Sequence, residues 1–401
     1  MLNTFIQLDS ILTQFQSLWR FEPFHLSYTA NASELEKSPA LQAWLLSLDE
    51  SQISHYKDDT PSLLSQMSQH LPELACLTAL TELPASNQIG LSLPKGADAG
   101  IPGRKLSQIV AMGQASIATH QGKEWLEWCS GKGFLGRLLA LKTGQVVTSF
   151  EWQQALCDAG QAEADKKQLP MRFVQGDALS QQAGQVMSTK QHAVALHACG
   201  DLHVRLIEHG CKAGVPAFTI APCCYHLIQD SEYQAMSKPG LQSRLKLTKS
   251  ELRIPLQSTV TGGERVRRHR RLEMSYRLGL DCYLREAQGH ASYTPLPSIK
   301  KSQLALGFEH FCLWAAKCKS LEVTEMDYAY WLKRGEQRFV EMERLSLAQQ
   351  VFQRSLELWL VLDRALFLVE QGYLVSLSEF CSYSDTPRNI LIQANRIEQR
   401  Q

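Results

Sequence analysis

A chain of 401 residues exceeds one ordinary hydrophobic core and calls for two or three domains. Hydrophobic residues at 44% and charged residues at 20% are the mix of a folded globular chain, and a formal net charge of +1 excludes global attraction to nucleic acid or a membrane surface. Any such partner must be carried by a local patch.

The first twenty residues place Phe5, Leu8, Ile11, Leu12, Phe15, Leu18 and Trp19 at helical spacing, with Asp9, Gln14 and Gln16 interrupting the apolar run. That is an amphipathic helix and not a secretory leader. No apolar run approaches the ~18 residues of a membrane span. The eleven cysteines are odd in number and lack a disulfide-domain spacing, so free thiols in a cytoplasmic setting are expected. Residues 1–95 read as a helical region with no motif tied to chemistry. Residues 86–103 are rich in Gly, Pro and Ser and read as a linker.

From residue 105 the pattern becomes short apolar runs alternating with helical stretches, the signature of a parallel α/β sheet. Strands are predicted at Trp125–Cys129, Val146–Phe150, Met171–Gln175, Ala193–His197 and Ala217–Ala221. Helices are predicted between them, including Phe134–Leu141 and Trp152–Lys167. Residues 231–345 break the rhythm and read as a basic, then helical, insertion that recognises substrate at the carboxyl edge of the sheet. From 346 to 401 a long apolar helix stops at Gly372, and strands Tyr373–Phe380 and Asn389–Gln393 follow. A pair joined by so short a turn must be antiparallel. The expected fold is therefore α/β, a Rossmann-like sheet of seven strands split as 105–230 and 346–401.

Chemistry gathers at the strand ends. The first strand runs into Gly131-x-Gly133-x-x-Gly136, which lets the backbone turn tightly beneath a helix N-terminus. Taken alone it is a common structural turn. Glu127 within that strand suits a ligand with a cationic amino-acid end. Glu151, ending the second strand, can accept both hydroxyls of a ribose, or serve as a helix N-terminal acid. Asp177, after the third strand in Gly176-Asp177-Ala178, can accept an adenine amino group, or simply shape a turn. Three acids closing three successive strands fit the amino, ribose and adenine parts of one ligand.

The fourth and fifth strands deliver His197-Ala-Cys199-Gly-Asp201 and Pro222-Cys223-Cys224-Tyr225-His226 to the same edge. Such ligands could hold zinc, but the Cys-x-x-Cys spacing of structural zinc sites is missing, and buried cysteines are often plain core. The preferred reading is an acceptor pocket without a metal, in which histidine assists removal of a proton. Residues 264–271 (ERVRRHRR) hold five arginines. Arg265, Arg267, Arg268, Arg270 and Arg271 suit an RNA or ribosome-associated partner, or form a solvated helix face.

These motifs resemble the class I S-adenosylmethionine (SAM)-dependent methyltransferases. His197-Ala-Cys-Gly-Asp-Leu202, Pro222-Cys-Cys-Tyr-His226, Leu362-Asp-Arg364 and Thr386-Pro-Arg-Asn389 look like one branch of them. That branch holds methyltransferase-like protein twenty-five and the ribosomal RNA adenine dimethylase domain-containing protein, and the glutathione S-transferase C-terminal domain-containing protein has similar loops. The likeness spans about residues 105–228 and 290–396. Position 129 is Cys where the motif usually has Gly, and position 127 is Glu where Asp is usual. The fourth strand lacks the Asn/Asp-Pro-Pro-Tyr run of base-amino methyltransferases.

The resemblance implies SAM as cofactor, held by Glu127, Cys129, Gly131, Gly133, Glu151, Trp152, Asp177, Ala178 and His197. Catalytic positions would be His197, Cys199, Cys223, Tyr225 and His226. Two other readings stand beside methyl transfer: an inactive RNA- or ribosome-binding scaffold, and a nicotinamide or flavin oxidoreductase using the same glycine turn.

Overall fold

In a computed structural model, described over residues 1–28, 38–87, 90–91, 101, 103–257, 263–323 and 326–397, the strands form one seven-stranded sheet. They are β1 (Glu124–Trp128), β2 (Val147–Glu151), β3 (Met171–Gln175), β4 (Gln191–Cys199), β5 (Ala217–Cys223), β6 (Tyr373–Glu379) and β7 (Ile390–Arg396), in the order β3-β2-β1-β4-β5-β7-β6. β1 to β5 pair in parallel, and β7 runs antiparallel to both β5 and β6. This is the Rossmann-like α/β sheet expected, closed by a reversed strand. The chain order turns back between β1 and β4, the switch point where such sheets bind ligands beyond their carboxyl ends.

The central strands are buried along their length because helices cover the sheet. The longer helices of this sheet-bearing unit are α1 (Leu2–Gln14), α2 (Gly103–Ala118), α3 (Phe134–Thr143), α4 (Gln154–Lys166), α5 (Asp201–Ala213) and α6 (Gln353–Glu370). Trp125, Leu135, Leu138, Leu139, Val147 and Val194 interlock in one core between the sheet and α2–α3. Among the described residues no helix is long and apolar enough to cross a membrane.

The chain divides into two compact units whose boundaries differ from a linear reading. Residues 1–13, 79–260 and 353–401 form the first, and 14–78 with 261–352 form the second. The expected separate region 1–95 is thus divided. Phe5 of α1 stacks on Trp359 of α6 at 5.4 Å, and Asp9 accepts from the Trp359 indole at 2.9 Å. Residues 84–86 extend the edge of β6, with Ser86 and Glu379 N–H groups bonded to Glu379 and Pro84 carbonyls at 2.8 Å. The stretch 231–257, expected as the start of an insertion, belongs to the sheet unit because Tyr233 and Ser237 anchor on Asp363 of α6. Most of the linker expected at 86–103 lies outside the described residues.

In the second unit the long helices Glu264–Glu286 and Tyr328–Gln350 pack closely, since Gly335 leaves no room for a Cβ against the Ser275 carbonyl and Gly279. Arg338 and Asp281 form a buried ion pair between them at 2.5 Å. Tyr276, Leu280, Phe308 and Phe311 make its core.

Candidate cofactor and acceptor site

The turn after β1 begins at Cys129, whose φ of 55° lies in the left-handed region. A side chain there is strained, which is the physical reason the motif usually carries glycine at this position. Gly131 (φ 58°) and Gly133 (φ 68°) continue the turn. They differ in surroundings. A Cβ on Gly133 would meet Phe173 at 2.5 Å, whereas one on Gly131 would have nothing within 4 Å. Gly133 therefore serves packing, and Gly131 is the bare edge that a ligand can approach.

The three acids fall into two groups. Glu151 and Asp177 lie at the carboxyl edge. Glu151 accepts the Gly131 N–H at 2.9 Å through one oxygen and the Gln153 N–H at 3.0 Å through the other. Asp177 is exposed; its Oδ1 accepts the Leu179 N–H at 2.9 Å in a local turn. The β2–β3 ladder continues into this region, with the Gly176 N–H bonded to the Glu151 carbonyl at 2.9 Å. The Cys129 thiol, pushed up to about 12 by burial and then by the charges of Glu151, Cys199 and Asp177, sits amid groups from β2, β3 and β4. Beside them the Trp152 indole is 61% exposed, an unusual state for so large an apolar face, and Ala178 is buried.

Glu127 departs from the expectation that all three acids line the ligand cleft. It is 4% exposed and accepts from Ser149 Oγ at 2.9 Å; a Cβ on Gly136 would lie 2.5 Å from its Oε2. Burial pushes its carboxyl up to about 7, opposed by hydrogen bonds from Ser149 and the Gly136 and Leu135 N–H groups and by the Arg137 charge. Glu127 thus caps the N-terminus of α3 from within and holds the turn instead of meeting solvent.

On the acceptor side, β4 carries an irregularity between Leu196 and Cys199: two residues of β4, His197 and Ala198, stand against one of β5, Pro222, which brings Cys199 opposite Cys223. His197 takes up the extra residue with φ 70° and is exposed. Desolvation, then the Lys105 and Arg388 charges, lower its pKa, which keeps the imidazole neutral at pH 7. Cys199 and Cys223 sulfurs are 3.4 Å apart, and Cys224 joins them. His226 is half-buried, and its Nδ1 is buried without a hydrogen-bond partner.

Tyr225 does not line a pocket. It is fully buried, its hydroxyl bonding the Glu357 carboxylate at 3.3 Å, so the expected catalytic role is corrected to an internal anchor of the β5 loop. The loops after β4 and β5 are clamped together: Gly200 (φ 56°) has no room for a side chain against the Leu227 carbonyl, and Asp201 Oδ2 accepts the Gln229 N–H at 2.7 Å.

Several supporting residues carry no motif legible by spacing. Arg364 Nε donates to His203 Nε2 at 2.6 Å, which leaves His203 Nδ1 to donate to the Ala198 carbonyl at 2.9 Å. Asp363 accepts from Tyr233 Oη, Met236 N, Ser237 N and Ser237 Oγ at 2.5–3.0 Å. The Leu362-Asp-Arg364 run noticed by resemblance is thus the brace that ties α6 to the loops of β4 and β5. Lys105 was missed because it lies on α2, ahead of the strand motifs, whereas Arg388 stands in the Thr386-Pro-Arg-Asn389 run quoted for the resemblance, with no role assigned to it there.

The arginine cluster is largely engaged within the second unit. Arg267 pairs with Asp58 at 2.6 Å, Arg270 with Glu343 at 2.8 Å, and Arg271 with Glu50. Arg265 and Arg268 are exposed. A cavity of about 260 Å³ lies elsewhere, against β6, lined by Met1, Thr4, Glu82, Leu358, Leu362 and Ser376 among others, and holds none of the strand-end motifs.

Sheet order, reversed strand and glycine turn define a methyltransferase-type α/β domain. Consistent with this, residues 104–231 match the family described as "Methyltransferase domain". The glutathione S-transferase C-terminal domain-containing protein of Xenopus laevis is 32% identical over 112 residues, 27% of this chain and 17% of that protein. The chain therefore aligns with about one sixth of the length of that relative. The Pyrococcus abyssi tRNA (uracil-54, C5)-methyltransferase, solved with S-adenosyl-L-homocysteine, is 20% identical, covering 29% of this chain and 28% of its own, with a TM-score of 0.24. WbdD is 16% identical over 40% of this chain and 36% of its own, with a TM-score of 0.23.

Proposed function

We propose that the chain is a SAM-dependent methyltransferase whose cofactor lies over the carboxyl ends of β1, β2 and β3. The supporting observation is the grouping of Gly131, Glu151 and Asp177 around Cys129, with the Trp152 ring exposed beside them. The residues fit the group. The Glu151 carboxylate has acceptor capacity beyond its two backbone donors for ribose hydroxyls. The outer oxygen of Asp177 can accept from an adenine amine, and Trp152 offers a face for stacking. SAM, when bound, supplies a methyl group on a sulfonium, so the protein must orient the acceptor, exclude water and take a proton.

His197 is the group suited to that last task. Its pKa is lowered, so at neutral pH it is an imidazole able to accept a proton. Cys199 and Cys223 lie next to it on the acceptor side. The oxidoreductase reading is disfavoured by the strand reversal at β7 and by Asp177. For the acceptor, we keep RNA or a ribosome-associated protein, with Arg265 and Arg268 among the exposed cations of the arginine cluster.

Calorimetry with SAM and S-adenosylhomocysteine tests the first part directly. Micromolar binding that disappears in Glu151→Ala is expected; NADH binding in its place would reject the assignment. Labelled SAM incubated with separated RNA and protein fractions identifies the acceptor by which fraction gains label.

A further inference from the structure

We infer that Cys199, Cys223 and Cys224 form a binding site for a thiophilic divalent cation, zinc by its chemistry. Their three sulfurs lie within 4.8 Å of one another, with 3.4 Å between Cys199 and Cys223. A tetrahedral zinc with Zn–S bonds of about 2.3 Å holds its sulfurs ~3.8 Å apart. The trio therefore needs only a small adjustment to surround an ion.

Two local distortions build this arrangement. The extra residue between Leu196 and Cys199 sets Cys199 across from Cys223 on the neighbouring strand. A regular strand would point the adjacent Cys223 and Cys224 to opposite faces. Cys224 instead adopts φ 47°, and its sulfur turns back toward the other two. A left-handed cysteine and a left-handed histidine stand in two neighbouring loops, a strain that clusters where structure serves a site. The absent Cys-x-x-Cys spacing is thus no obstacle, because the sheet supplies from two strands what that motif supplies from one turn.

Cysteines that take up Zn2+ bind it as thiolates, so any thiol protons of the trio are released to solvent. Three protein ligands leave the fourth position to a group from outside the trio, the pattern of sites that also bind a substrate or water.

The test uses the 401-residue chain, reduced and stripped of metal. Co2+ titration should give a thiolate-to-cobalt charge-transfer band that saturates at one equivalent and disappears on adding Zn2+. Zn2+ calorimetry in two buffers of different ionisation heat should report net proton release at neutral pH. Cys199→Ser and Cys224→Ser should each lower the affinity at least tenfold, while Cys318→Ser, an exposed thiol elsewhere, leaves it unchanged. The site is refuted if the folded, reduced wild-type chain shows no sulfur-to-cobalt band. It is equally refuted if mass spectrometry finds that Cys199 and Cys223 pair as a disulfide and the reduced chain takes up no metal. Both readings use the wild-type chain, so a variant that fails to fold decides nothing against them. SAM binding is measured separately, so loss of this site and loss of the methyl-transfer reading are distinguishable.

Discussion

Glu151 accepts the Gly131 N–H at 2.9 Å, so the acid that ends β2 holds the shape of the turn that ends β1. One side chain thereby fixes the bare edge of the turn and, in the proposed cofactor site, would also offer its remaining lone pairs to the ligand. Glu151→Ala should lose both and weaken SAM by at least tenfold, ~1.4 kcal/mol. Calorimetry on the variant, with circular dichroism to check folding, measures it; unchanged affinity would remove Glu151 from the site.

Cys129 occupies a backbone conformation that suits glycine, with φ 55°. Cys129→Gly should relieve that strain and raise stability by about 1 kcal/mol, whereas Cys129→Val should lower it because a β-branched side chain tolerates positive φ least. Thermal unfolding of the three proteins gives the order Gly above Cys above Val. Any other order contradicts the strain argument.

Glu127 carries a pH dependence with a definite sign. Its folded pKa is raised from 4.5 to about 7, so the native state holds this proton more tightly than the unfolded chain does. The group's contribution is most favourable below pH 4.5, falls as pH rises to 7, and is constant above. A shift of this size corresponds to about 3 kcal/mol. Denaturant unfolding across that range, wild type minus Glu127→Gln, should show the fall. Parallel profiles would show that the carboxyl titrates normally.

Asp363 gathers four donors onto one carboxylate in the core. Asp363→Asn turns an amide N–H toward donors and leaves at least two of them without an acceptor. At 1–3 kcal/mol for each buried orphan, a loss of about 3–5 kcal/mol is expected. Urea unfolding measures it, and a cost below 1 kcal/mol would mean the brace is dispensable.

His203 is locked as the neutral Nδ1–H tautomer, because Arg364 Nε donates to its other nitrogen. Burial, and then the Arg364 charge, lower its pKa well below 6.5. Nitrogen chemical shifts of labelled histidine should show no titration of this ring between pH 5 and 8. A midpoint within that range would break the proposed Arg364–His203–Ala198 chain.

Much of the sheet was legible because its signals are local. Apolar runs of the right length marked β1 to β7 to within two or three residues at each end, and the tight turn near Pro387 required an antiparallel neighbour. Glu151, Asp177 and Gly131 could be located because parallel strands deliver their ends to one edge. What stayed hidden was direction and burial. Glu127 and Tyr225 sit in motifs beside the site, yet both side chains turn into the core, one under α3 and one onto Glu357. Spacing cannot tell the two faces of a strand apart once both are covered.

The sequence by itself determined the order of strands and helices, the glycine turn and the acids at the strand ends, because each follows from chain-local periodicity and backbone freedom. Only the tertiary structure decided that 14–78 joins 261–352, that Asp58, Glu343 and Glu50 take up Arg267, Arg270 and Arg271, and that three sulfurs from two strands meet. Those outcomes depend on partners tens to hundreds of residues apart and on a one-residue irregularity in β4, neither of which leaves a periodic trace in the chain.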